Sequence, residues 1–147
     1  MKPLILVELE GTLIDPRAVQ GTTETYEESQ LALFQCKPHF SMMSLCSQLQ
    51  NIYDVCVITS LPDKFAQMAT DWFMGHDFQP DYLLMRPENN YEPEADLKPR
   101  LVSEYFGADW RSRVAFAIED RDKLVDAWRA QGIMCCLLYT SPSPRDA

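Results

Sequence analysis

Long apolar runs are missing from this chain. No stretch approaches the roughly 18 residues needed to span a bilayer, and no export signal opens the sequence, so a cytoplasmic location without membrane contact is expected. Basic residues are few: 13 Lys and Arg stand against 22 Asp and Glu, for a net charge of −9. A strong non-specific nucleic-acid binder needs a basic face, and that class is excluded. An enzyme that grips one phosphate through a metal is not. Histidine is limited to His39 and His76, in no ligand-spaced cluster, which argues against zinc. The five cysteines, at 36, 46, 56, 135 and 136, are odd in number and lack CxxC spacing, so reduced and mostly buried thiols are expected. No phosphate-binding loop of the Gly-x-x-x-x-Gly-Lys-Ser/Thr type occurs, so no kinase activity is expected. Disorder is excluded as well, because 46% hydrophobic and 24% charged residues are ordinary for a globule. A chain of 147 residues suffices for one domain burying roughly 70% of its unfolded surface.

What is present is alternation. Pro3 to Val7 is a continuous apolar run ending in acid and Gly11-Thr12, as a buried strand meeting a polar loop would be. Residues 15–37 are polar and carry no clear period, which predicts a long loop or small flap. Met42, Leu45, Cys46 and Leu49 follow helical spacing. Tyr53 to Ile58 reads as a second strand, with Thr59-Ser60 at its end. Pro62 suits the first turn of the next helix, on which Phe65, Met68, Ala69, Trp72 and Phe73 share a face. Tyr82 to Met85 reads as a third strand, and residues 87–96 as a loop. Asp96 suits the cap of a helix carrying Leu97, Leu101, Val102 and Tyr105. Arg113 to Ile118 is a fourth strand, residues 124–128 a helix face, and residues 133–138 a last strand. Apolar strands alternating with helices predict an α/β fold: a three-layer, doubly wound parallel sheet with a minimal cap or flap. Its active site is expected beyond the carboxyl ends of the strands.

The end of the chain is a separate case. Eleven consecutive residues, Cys136 to Asp146, match the in-frame translation of a transposase-type sequencing adapter. Residues 1–135 are therefore expected to form the single domain, and 136–147 to be adapter read-through. Residues 139–147 are expected to pack against nothing, since Ser-Pro-Ser-Pro favours extended, solvated backbone. Residues 135–138 are apolar enough to fill the final strand position all the same.

Chemistry-bearing residues gather at the predicted strand ends. Glu8 and Glu10 follow the first strand and lie on one side of it by alternation. Thr59 follows the second, Lys98 opens the helix after the third, and Glu119-Asp120 follow the fourth. Three or four converging carboxylates call for a cation, and hard oxygen donors favour Mg²⁺. A hydroxyl and an ammonium nearby would hold phosphate oxygens.

This order resembles the haloacid-dehalogenase (HAD) superfamily of phosphohydrolases. Its first motif, Asp-x-Asp-Gly-Thr, stands here as Glu8-Leu9-Glu10-Gly11-Thr12; its Thr or Ser, its Lys and its acidic pair match Thr59, Lys98 and Glu119-Asp120. More narrowly, Ala117 to Ile133, with Arg121, Val125-Asp126, Trp128-Arg129 and Gly132-Ile133, is similar to the 3′-phosphatase domains of phage polynucleotide kinases. So is Asp81 to Arg86 followed by Asp96-Leu97-Lys98. The resemblance implies that Glu8 takes the phosphoryl group as an acyl phosphate and that Glu10 serves as general acid and then base. It implies substrate contacts from Thr59, Ser60, Arg86, Lys98 and Arg121, and Mg²⁺ ligands from Glu8, Glu10, Glu119 and Asp120. The substrate implied is a phosphate monoester, a nucleotide or polynucleotide 3′-phosphate.

Four positions depart from the family pattern. Glutamate replaces aspartate at 8, 10 and 119. Each change adds a methylene and moves the carboxylate by roughly an ångström, which costs on the order of a hundredfold when in-line attack is required. Leu61 stands where the family has an Arg. A second reading therefore stands beside the first: a relative that binds metal or phosphate without turnover. A phosphoacceptor receiver domain would need an acid after the third strand, where Arg86-Pro87 stands instead.

Overall fold

The computed structural model describes residues 1–138. Five strands form one sheet: β1 (Leu4–Glu8), β2 (Asp54–Pro62), β3 (Tyr82–Arg86), β4 (Val114–Glu119) and β5 (Cys135–Leu137). All neighbours are parallel, in the order β3-β2-β1-β4-β5. β1 is central and pairs with β2 from Leu4 opposite Asp54 to Glu8 opposite Ile58. Every residue of β1 is buried, as expected for a parallel strand covered on both faces.

Alternation along the strands feeds two cores. Ile5, Val7, Val55 and Val57 pack on one face with Leu33, Met43, Cys46, Ala69 and Phe73. These come from α1 (Tyr26–Leu33), α2 (Phe40–Leu49) and α3 (Ala66–Gly75). Leu4, Leu6, Cys56 and Ile58 pack on the other face with Leu97, Val102, Trp110, Val125 and Trp128. Those belong to α4 (Glu94–Phe106), α5 (Trp110–Arg113) and α6 (Asp122–Ala130). The result is the expected three-layer α/β arrangement.

Four boundaries differ from the sequence reading, each for a local reason. Residues 15–37 hold a 3₁₀ turn (Pro16–Ala18) and α1. That helix is set by its cap rather than by an apolar period: Thr25 Oγ1 accepts from the Glu28 N–H at 3.1 Å, and Glu28 Oε2 accepts from the Glu24 N–H at 3.1 Å, a variant of the capping box. β2 continues through Thr59 and Ser60 to Pro62, so Pro62 ends a strand instead of opening a helix, and α3 starts after a 3₁₀ turn (Asp63–Phe65). Pro93 occupies the cap of α4, placing Asp96 inside its first turn. β5 begins two residues later than the apolar run. The expectation for residues 139–147 lies outside the described residues.

Candidate active site

Glu8 is the last residue of β1 and is buried. Its Oε1 accepts from the Leu9 N–H at 2.9 Å, and its Oε2 accepts from Lys98 Nζ. Lys98 lies in α4 and is 1% exposed; its ammonium also donates to Glu119 Oε1 at 2.9 Å. Trp128 Nε1 donates to the same oxygen at 3.3 Å. One buried cation thus sits between two buried carboxylates drawn from β1 and β4. Burial pushes the Lys98 pKa down, with the Glu119 charge opposing, and pushes the Glu119 pKa up, with the Lys98 charge opposing. Glu119 Oε2 is buried without a hydrogen-bond partner.

Beyond the strand ends lies a cleft of about 180 Å³. Of the sequence-predicted residues, Glu8, Glu10, Ser60, Asp120 and Arg121 line it. Glu10 and Asp120 share the cleft wall, and the Asp120 carboxylate packs against Gly11. Desolvation holds the Glu10 carboxyl above the usual range, with the Arg121 charge opposing. Burial raises Asp120 too, and the negative charge of Glu10 adds to it. Gly11 has φ +86°, and a Cβ there would come within 2.1 Å of Asp120 Oδ2. The turn requires glycine both for its backbone and for the approach of that carboxylate.

Other predicted residues are placed differently. Thr59 is buried in β2, its Oγ1 accepting from the Leu61 N–H at 3.2 Å, off the cleft wall. Glu119 is turned inward onto Lys98 and Trp128, so it supports the floor rather than facing the cleft. Arg86 is also off the wall. Its guanidinium donates to the Ser60 carbonyl at 2.9 Å and to Asn90 Oδ1 and the Glu92 carbonyl at 2.8 Å each, tying the 87–92 loop to β2.

Three site residues escaped the sequence reading. Glu94 lines the cleft, accepting from Ser60 Oγ on one carboxylate oxygen and from Arg121 on the other. It lies one helical turn before Lys98, a spacing that places both on the same side of α4. Thr12 donates to Asp120 Oδ1 at 3.4 Å; it belongs to the Gly-Thr turn. Gln20, from the flap, has no sequence signature, since only the fold brings it to the cleft.

The donor chemistry fits a hard divalent cation: Glu8, Glu10 and Asp120 share one cleft with no imidazole or thiolate on its wall. Their carboxylates do not close into a ready-made cage, and among the described residues no three acid, His or Cys side chains form a metal-binding group. Also among the described residues, no helix is long and apolar enough to cross a membrane.

A parallel sheet with paired acids after β1, a Lys buried against the first of them and an acidic pair after β4 defines a HAD-type hydrolase. The chain matches the model of the polynucleotide kinase PNKP phosphatase domain over residues 2–140, and it belongs to that family. Two solved structures of a Pnkp1/Rnl/Hen1 complex, one titled as an RNA repair complex, share the fold with TM-scores of 0.78 and 0.77 at 19% and 21% identity. They cover 97% and 93% of this chain, but the chain spans only 44% and 46% of theirs. A hydrolase from Streptococcus pneumoniae TIGR4 is similar along nearly its whole length, with TM-score 0.59, 13% identity and coverage of 99% and 98%. No curated protein sequence matches the chain.

Proposed function

We propose that this phosphatase domain is a Mg²⁺-dependent phosphohydrolase acting on a nucleotide or polynucleotide 3′-phosphate through an acyl phosphate on Glu8. The observation that carries the proposal is the Glu8–Lys98 pair at the base of an acid-lined cleft. Lys98 and the Leu9 amide orient the Glu8 carboxylate. A Glu8 oxygen attacks phosphorus, and the bond to the 3′ oxygen breaks as Glu10 delivers a proton to that oxygen. Desolvation favours the protonated form of Glu10 that this step needs. Glu10 then takes a proton from water, which attacks phosphorus, releases inorganic phosphate and restores Glu8. Arg121 and Ser60 supply donors at the cleft wall for the phosphoryl oxygens. Glu8, Glu10 and Asp120 would hold Mg²⁺, whose chemistry when bound is to neutralise carboxylate and phosphate so that two anions can meet.

Two observations favour the second reading, binding without turnover: both Glu8 oxygens are engaged, and among the described residues the acids lack a closed metal cage. Trapping decides between them. Incubation with a ³²P-labelled 3′-phosphorylated oligonucleotide and Mg²⁺, quenched in acid, is expected to leave hydroxylamine-sensitive label on the chain and none on Glu8→Gln. Equal label on both would remove Glu8 from the role; no label with retained Mg²⁺ binding would favour the second reading.

A further inference from the structure

β3 is an edge strand. It pairs with β2 on one side, and among the described residues no strand lies on the other. The N–H and C=O groups on that outer side form a row open to pairing, which proteins commonly blunt with charge, Pro or a covering element. Residues 82–85 of β3 carry no charge, and their outer side opens into a groove of about 390 Å³. Leu83, Leu84 and Met85 form its floor, Ala66 of α3 lies on one wall, and Leu101 and Tyr105 of α4 lie on the other. The Tyr105 side chain is 60% exposed. This groove shares no lining residue with the acid-lined cleft.

Charge on the rim decides what fits there. Asp63 stands at one wall and Glu104 at the other. Arg100 pairs with Glu104 but is shared with Glu92, so that cluster keeps a net negative charge. Lys64, beside Asp63 in sequence, is paired with Glu27. An apolar slot between two acids, alongside open backbone groups, suits an extended segment with an apolar middle and basic ends. A second copy of this chain is a poor occupant: it carries the same acids on the same edge and a net charge of −9, so self-pairing would set like charges against each other.

We propose that the free edge of β3 docks an extended segment of a partner protein, apolar in its middle and bearing Lys or Arg at its ends, as a sixth strand of the sheet. Main-chain hydrogen bonds to β3 supply the affinity. Side chains of the added strand alternate between the α3 wall and the α4 wall, and Asp63 and Glu104 set the preference for basic ends.

The test titrates the full chain into a fluorescein-labelled Lys-Lys-Val-Leu-Val-Lys-Lys peptide and follows its anisotropy. Two counterparts accompany it, one with Glu in place of every Lys and one N-methylated at the apolar residues. The basic peptide is expected to bind saturably and to slow amide hydrogen exchange within residues 82–86. N-methylation, which removes backbone donors and leaves charge and side chains in place, is expected to weaken binding by about tenfold or more. The acidic peptide is expected to bind more weakly than the basic one, and Asp63→Lys/Glu104→Lys to reverse that order. No saturable binding of the basic peptide, equal binding of the N-methylated one, a preference of the intact chain for the acidic one, or slowed exchange only outside residues 82–86 would each overturn the proposal. A dimer in sedimentation with β3 protected from exchange would also overturn it, because the groove would then hold a second copy. The peptide counterparts carry the test without altering the protein, so it does not depend on the double variant folding.

Discussion

Lys98 and Glu8 are 90 residues apart in sequence and form a buried ion pair beneath the cleft. The pair joins α4 to the end of β1, and Glu119 extends it to β4. Three elements around the site are thus locked through one ammonium group. Desolvation of such charges is costly, and the network is tolerable only because each charge has a partner.

Removing the shared cation leaves two uncompensated carboxylates. Lys98→Met is expected to destabilise the fold by about 3–5 kcal/mol, a drop in melting temperature of roughly 6–20 °C at this size. Calorimetry of Lys98→Met beside Lys98→Met/Glu8→Gln checks it: the double variant is expected to recover part of the loss.

Gly11→Ala places a Cβ on the Asp120 carboxylate in a backbone conformation that alanine rarely adopts. The expected result is loss of phosphate release with a smaller loss of stability than Lys98→Met, because the turn is at the surface of the cleft. Activity and thermal melts on one preparation measure both.

Asp15 caps the flap's 3₁₀ turn and pairs with Arg17 at 2.7 Å, which lowers its pKa from 3.8 to about 2. A depressed carboxylate stabilises the fold above its unfolded value and loses that contribution as pH falls. Asp15→Asn is therefore expected to destabilise the protein at neutral pH, with the difference shrinking between about pH 4 and pH 2. Denaturant melts across that window test the sign.

Cys36, Cys46, Cys56 and Cys135 are buried, and burial pushes the thiols of Cys46 and Cys135 up to about 12. Cys136 is exposed. Native protein is expected to react rapidly with one equivalent of an aromatic disulfide reagent, and with five only after unfolding. Two or more rapid equivalents would show that the packing around these thiols opens readily.

The first four strands were legible because each is a short apolar run ended by acid or Pro, and their order suggested that Glu8, Glu10 and Asp120 share one end of the sheet. The flap helix was not, since Tyr26 to Leu33 buries only Gln30 and Leu33 and no apolar stripe marks it. Its Thr25-to-Glu28 cap was the available signal. Arg86 shows the other limit: position at a strand end suggested the site, but whether its donors face the cleft or the Asn90 loop depends on a side-chain direction that spacing does not encode. Glu94 was hidden by its ordinariness, one more acid at a helix start, until Ser60 and Arg121 met on it.

Phosphate release from a 3′-phosphorylated oligonucleotide tests the central claim most directly, with a small generic phosphate ester alongside. The intact chain is expected to release phosphate only with Mg²⁺, Asp120→Asn to lose release, and Glu8→Asp/Glu10→Asp to raise it by up to about a hundredfold, or roughly 2.7 kcal/mol of barrier. If neither the intact chain nor the double variant releases phosphate from either ester while both bind Mg²⁺, the account of Glu8 as a nucleophile is contradicted.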